Sequence, residues 1–157
     1  MTGSPKVISA LMAACAAEIN SRAQYLQDAA ALENEGLPAL AVELRKRADE
    51  EADHLAKFLA RITFLNGSPA LRIEPTVFCG DINSVLSNQA KLEAQASADY
   101  QAAAEQAELD SDYVTRDLFT EIEADEQEHL NYLEGEQNII AKYGIEAYVA
   151  GYRAKGV

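Results

Sequence analysis

The sequence predicts an all-α protein, a bundle of four long helices followed by a short fifth, with residues 1–157 forming one domain. Three observations predict it. Alanine is abundant, the chain has only 4 Pro and 8 Gly, and it has no Trp. Apolar residues recur at helical spacing in four long stretches, each bounded by turn residues. Ligand-type residues also recur. A shift of 75 positions carries Glu18, Glu51 and His54 onto Glu93, Glu126 and His129, and these are the chain's only two histidines. Tyr25 lands on Tyr100 under the same shift.

Ser4 and Pro5 open the first helix, as cap and first-turn proline, and Gly36 ends it after Glu35. Its expected stripe is Leu11, Cys15, Ile19, Arg22, Leu26 and Ala29, with Glu18 inside it. The second helix starts near Pro38 and ends before Asn66-Gly67, with a stripe of Leu44, Ala48, Glu51, Leu55, Phe58, Ile62 and Leu65. Residues 67–80, with two Pro and two Gly, form a connection. Asp81 caps a third helix running to about Leu109. Ser111 or Asp112 caps the fourth, whose stripe is Phe119, Ile122, Glu126, Leu130, Leu133 and Gln137. Gly144 breaks it, and Ile145 to about Arg153 forms the fifth, with Ile145, Tyr148 and Val149 as its apolar side.

Turn positions set the register. Glu18 lies 18 residues before Gly36 and His54 lies 18 after it, so a tight turn there brings Glu18 level with Glu51 and His54. Glu93 and His129 stand in the same relation to Ser111. The connection 67–80 spans at most about 46 Å when extended, and a helix of about 28 residues is roughly 42 Å long. It can just travel the bundle, making the second and third helices parallel. That long crossover is the mark of a ferritin-like four-helix bundle. A looser up-down-up-down arrangement is the alternative.

Glu51 and Glu126 sit where an apolar residue is expected. A lone buried carboxylate is very costly unless it is paired or binds metal. Arg22 and Arg47 are close enough in sequence to neutralise one Glu, but no set of basic residues matches all four. Four carboxylates and two imidazoles suit two divalent ions, whose charge they balance. Such ligands favour iron or manganese over a thiolate-type zinc site. Glu50 and Asp125, each one residue before a core Glu, either orient a ligating histidine or face solvent, and solvent is the expectation. Lys46 and Glu50 are candidates for a cavity wall. Tyr100 is expected to be an ordinary core residue.

The formal net charge of -13 excludes nucleic acid and anionic membrane as natural partners and favours cations. No apolar run approaches a membrane span and no signal-peptide core opens the chain, which predicts a cytoplasmic location. Cys15 and Cys79 lack metal-ligand spacing and are expected to be free thiols.

Specific stretches resemble the bacterioferritin family: Glu33 to Pro38, Glu51 to His54, Ile62 to Gly67, Asp112 to Leu118 and Glu126 to Glu134. The resemblance covers nearly the whole chain. It implies that Glu51 and Glu126 bridge two irons, with Glu18 and His54 completing one and Glu93 and His129 the other. It also implies a homo-oligomeric 24-subunit shell that oxidises Fe(II) with O₂ or peroxide and stores ferric mineral. A role for Tyr25 beside the irons, redox or hydrogen-bonding, is implied against that of an ordinary core tyrosine. One departure stands out. The family's haem-ligand Met would follow the first bridging Glu, and here that residue is Ala52. Haem is therefore not expected in a homo-oligomer, although a mixed shell with a Met-bearing sister subunit could hold it. A ferredoxin-type electron donor is a further implied partner. The competing functions are a small-oligomer di-iron or di-manganese oxidase or peroxidase, and a passive metal-binding bundle.

Overall fold

A computed structural model describes residues 3–155. It contains α1 (Pro5–Asn34), α2 (Pro38–Phe64), α3 (Ile82–Leu109), α4 (Tyr113–Tyr143) and α5 (Ile145–Lys155), with no strand among the described residues. Ser4 caps α1, its hydroxyl accepting from the Lys6 N–H, with Pro5 in the first turn. Asp81 caps α3 through the Ser84 N–H.

Three helices end in the same way. After α1, Gly36 (φ 79°) takes the left-handed conformation and the Leu37 N–H returns to the Leu32 carbonyl at 3.0 Å. Asn66 (φ 60°) does this after α2, with the Gly67 N–H on Ile62 O. Ser111 (φ 59°) does it after α3, with the Asp112 N–H on Ala107 O. Ser111 therefore closes α3, and Asp112 is the residue that caps α4, through the Thr115 N–H.

Contacts between helices fix their directions. Tyr25 of α1 meets Glu93 of α3, and Glu18 meets Tyr100, so α1 and α3 are antiparallel. Lys57–Glu121, His54–Asp125 and Arg61–Asp112 make α2 and α4 antiparallel as well. Since α1 also turns back into α2, α2 and α3 are parallel and the chain crosses the bundle between them. The looser up-down-up-down alternative is excluded by this order. Three amides of α1 hold the crossover to it. Asn20 accepts from the Glu74 N–H, Gln24 both accepts from the Val77 N–H and donates to its carbonyl, and Gln27 donates to that same carbonyl.

The expected stripes need correction where neighbours differ from a simple pairwise contact. On α1, Arg22 is exposed, Leu26 is 43% exposed and Ile19 is half-buried, while Gln24, Tyr25 and Asp28 are buried. The crossover and α3 both pack on α1, which turns its inward face away from the Leu26 side. On α2 and α4, Leu55, Leu130 and Gln137 are half-buried and the histidines occupy the inner line. On α5 the buried residues are Tyr148 and Tyr152, whose hydroxyls donate to Glu136, while Ile145 and Val149 are half-buried.

The core has two apolar halves. One contains Leu32, Leu40, Leu44, Ile82, Leu86 and Leu133. The other contains Leu11, Phe58, Ile62, Tyr100, Phe119 and Ile122. In sequence, Glu18, Glu51, Glu93 and Glu126 each fall between residues of one half and residues of the other. Cys15 and Cys79 are free, one in each half.

Candidate metal centre

All six residues singled out by the 75-residue repeat are buried between the helices. Glu18, Glu51, Glu93 and Glu126 are each 1% exposed, His54 3% and His129 5%. They form two groups, Glu18–Glu51–His54–Glu126 and Glu51–Glu93–Glu126–His129, in each of which the candidate ligand atoms lie within 4.8 Å of one another. Glu51 and Glu126 belong to both. The helix period explains this. Glu and His three apart share a face, so α2 and α4 each deliver two groups, and α1 and α3 deliver one each.

The histidines turn Nδ1 inward. His54 Nδ1 lies 3.2 Å from Glu51 Oε2, 3.2 Å from Glu126 Oε1 and 3.6 Å from Glu18 Oε2. His129 Nδ1 lies 3.2 Å from Glu126 Oε2, 3.6 Å from Glu51 Oε1 and 3.8 Å from Glu93 Oε2. The two rings are stacked with centroids 6.3 Å apart. Arg22 and Arg47 neutralise none of this. Arg22 is exposed, and Arg47 lies over the Tyr132 ring at 4.1 Å and donates to Glu43 O.

Around this set a second layer reaches across between hairpins. His129 Nε2 is 2.8 Å from Glu50 Oε2, and His54 Nε2 is 3.3 Å from Asp125 Oδ2. The Tyr25 hydroxyl donates to Glu93, and the Tyr100 hydroxyl donates to Glu18. Each outer residue therefore holds a residue of the other hairpin. Two sequence expectations are corrected here. Glu50 and Asp125 contact the histidines although they retain partial exposure, because a carboxylate on the neighbouring antiparallel helix can lie beside a ring edge that sequence does not place. Tyr100 is more than a filler, because the α1–α3 pairing brings Glu18 to its hydroxyl. Sequence reasoning missed Ser21 altogether. Its hydroxyl is 3.3 Å from Glu51 Oε1, and its position one turn after Glu18 is the signal that was available.

Burial and charge set the protonation of the metal-free centre. Burial is the main cause that raises Glu18 to about 9 and Glu93 to about 8, so both are protonated near neutrality. Burial also acts to raise Glu51, but His129 and His54 overcome it and hold Glu51 near 2. Glu126 is likewise held low against its burial by the two histidines. Burial disfavours the imidazoliums, yet Glu126 and the neighbouring carboxylates raise His54 to about 12 and raise His129 as well. Two imidazoliums thus face two carboxylates and two neutral acids. Even so, both Glu126 oxygens and His129 Nδ1 are buried without a hydrogen-bond partner. The unpartnered Glu126 carboxylate oxygens suit a cation between them, so the donor set fits divalent metal.

The site has two openings. A cavity of about 290 Å³ under the crossover, between α1 and α3, reaches all four carboxylates. On the α2–α4 side, a depression of about 340 Å³ exposes the outer edges of both histidines and is lined by Lys46 and Glu50, among others.

A four-helix bundle whose interior carries four carboxylates and two imidazoles in two groups sharing Glu51 and Glu126 has the donor set of the dinuclear carboxylate class. The chain belongs to the ferritin-like domain family, whose pattern matches residues 8–141. It is 35% identical over 149 residues to a bacterioferritin of Brucella melitensis, covering 94% of this chain and 92% of that one. It is 30% identical to a bacterial ferritin of Pseudomonas aeruginosa, covering 95% and 97%, and 29% identical to a bacterioferritin of Rhodobacter capsulatus, covering 94% and 92%. Iron storage is the function these relationships support for the family. No helix among the described residues is long and apolar enough to cross a membrane.

Proposed function

We propose that the chain oxidises Fe(II) at this centre and stores the ferric product inside a shell of 24 copies in the cytoplasm. Glu51 and Glu126 would be shared between two Fe(II) ions, with Glu18 and His54 holding one and Glu93 and His129 the other. The observation that carries this reading is Glu126, a buried carboxylate shared by both groups with neither oxygen hydrogen-bonded. Each bound iron supplies one electron, so a pair reduces one O₂ to hydrogen peroxide, or one peroxide to water, with two protons taken up.

The protein's part is charge and position. Four carboxylates offset two divalent ions, which removes the repulsion that would keep the ions apart. Glu50 and Asp125 accept from the histidine Nε2–H groups, leaving each Nδ1 lone pair directed inward. The apolar halves on either side of the ligand layer close the site along the bundle axis, leaving the two openings as the routes to it. Stopped-flow absorbance after adding Fe(II) under air tests the reading, combined with size-exclusion chromatography. The expected result is a fast phase saturating at two Fe(II) per chain in a particle of 24 subunits. A small oligomer without a fast phase overturns it.

Proton release gives an independent prediction. Ion binding requires Glu18 and Glu93 to lose protons and both histidines to become neutral, and all four groups are protonated at pH 7 in the metal-free centre by the shifts above. Anaerobic Fe(II) addition is expected to release about four protons per chain, and affinity should fall as pH is lowered. The measurement is pH-stat titration. Uptake of two ions without proton release contradicts the ligand set.

The residues present do not fit haem bound between two methionines. Ala52 is half-buried and carries no donor atom, and Met12, the described methionine, packs on the apolar half around Phe58. The purified homo-oligomer is therefore expected to show no Soret band even when expressed with excess haem. Ala52→Met is expected to create one, as a thioether can ligate haem iron. A stoichiometric Soret band in the unaltered protein refutes this.

A further inference from the structure

We propose that Tyr100 is a positioning residue for one end of the dinuclear centre, matched by Tyr25 at the other. The proposal rests on the ferroxidase reading above and deepens it. Tyr100 lies on α3, yet its hydroxyl donates to Glu18 Oε1 on α1, while Glu18 Oε2 is the oxygen that faces His54. One carboxylate oxygen is thus held by the phenol and the other is left for the ion. Tyr25 on α1 treats Glu93 on α3 identically. Its hydroxyl takes Oε1, and Oε2 faces His129.

The two phenols cannot swing away. Tyr25 is 0% exposed and Tyr100 2%. Tyr100 is packed against Phe58 with ring centroids 5.5 Å apart and against Phe119 at 5.9 Å. Each hydroxyl meets a single carboxylate oxygen, so each phenol is placed as the donor. Glu18 and Glu93 are the carboxylates not shared between the groups, and each belongs to one group only. Loss of one phenol therefore acts on one end of the centre, whereas loss of general packing would act on both.

The test is anaerobic titration of the full-length protein with Co(II), a redox-stable stand-in, followed by visible absorbance and by the paramagnetically shifted ring N–H signals of His54 and His129. Wild type is expected to bind two ions per chain and show both signals. Tyr100→Phe keeps the ring and removes the hydroxyl. It is expected to weaken one ion about tenfold, with the His129 signal appearing first and the His54 signal delayed. Tyr25→Phe is expected to reverse that order, and the double variant to weaken both. Equal weakening of both ions in Tyr100→Phe, or an isotherm like wild type, overturns the positioning role. Binding of fewer than two ions by the wild-type protein overturns the dinuclear reading itself. Thermal unfolding of each variant, followed by circular dichroism, distinguishes a folded chain with a lopsided centre from an unfolded one.

Discussion

Glu126→Gln is expected to eliminate the fast phase of Fe(II) oxidation, lowering the initial rate by at least about 100-fold, the scale on which removing one directed electrostatic group acts. Glu51→Gln should behave alike. Each residue belongs to both ligand groups, so its loss disturbs both ion positions. Glutamine keeps the volume of the side chain and removes its charge. Four carboxylates crowd this centre, but Glu51 and Glu126 are held in their charged form by the two histidines. In the metal-free centre they are the ionised pair facing two imidazoliums, and Glu18 and Glu93 are the neutral acids. Removing an ionised one leaves an imidazolium less compensated, so that histidine titrates closer to neutrality in the variant. Stopped-flow absorbance after mixing with Fe(II) under air reads the rate, and circular dichroism confirms the helices. A fast phase of wild-type amplitude in either variant removes the bridging assignment.

Glu50→Ala and Asp125→Ala are expected to weaken ion binding by about 10- to 100-fold without changing its stoichiometry. Their carboxylates hold the outer nitrogens of His129 and His54. Without that acceptor the proton is free to move to Nδ1, and the ring is free to rotate toward the depression that exposes it. Glu50 should show the larger effect because its contact, 2.8 Å, is shorter than the 3.3 Å of Asp125. Both side chains are about half exposed, 54% and 48%, so their loss costs little folding stability. Anaerobic calorimetry with Fe(II) or Co(II) reads affinity and stoichiometry together. Unchanged affinity would make both contacts incidental surface pairs.

The departures from the sequence reading share one cause. Periodicity along a helix reports that the helix has an inner face, but it does not report how many neighbours share that face. On α1 three neighbours do so. Asn20, Gln24 and Gln27 follow a helical spacing, and this polar line is the track of the crossover. Taken alone, such a line resembles a solvated edge, which is why periodicity places Leu26 inward and leaves Gln24 outside the stripe. Asp28 and Gln89 share the problem. Both are buried and satisfy part of each other's hydrogen bonding, 61 residues apart. Ser111 illustrates a local version, since a serine before a helix suggests a cap, whereas here its left-handed backbone closes the preceding helix.

What the sequence determined by itself was the helix count, nearly every helix boundary and the six-residue set. Composition, glycine and proline punctuation and the spacing of Glu and His are properties of a single chain in order, and helical geometry converts that order directly into shared faces. The equal distances from the turns also placed all six at one level. Only the tertiary structure decided which hairpin serves which ligand. Pairing α1 with α3 and α2 with α4 in antiparallel fashion gives the exchange in which Tyr25 holds Glu93, Tyr100 holds Glu18, Glu50 holds His129 and Asp125 holds His54. Those contacts join residues 68 to 82 positions apart. Hydrogen-bond partners across such a span depend on how the two hairpins dock, and docking is set by the packing of both apolar halves together, which no local spacing encodes.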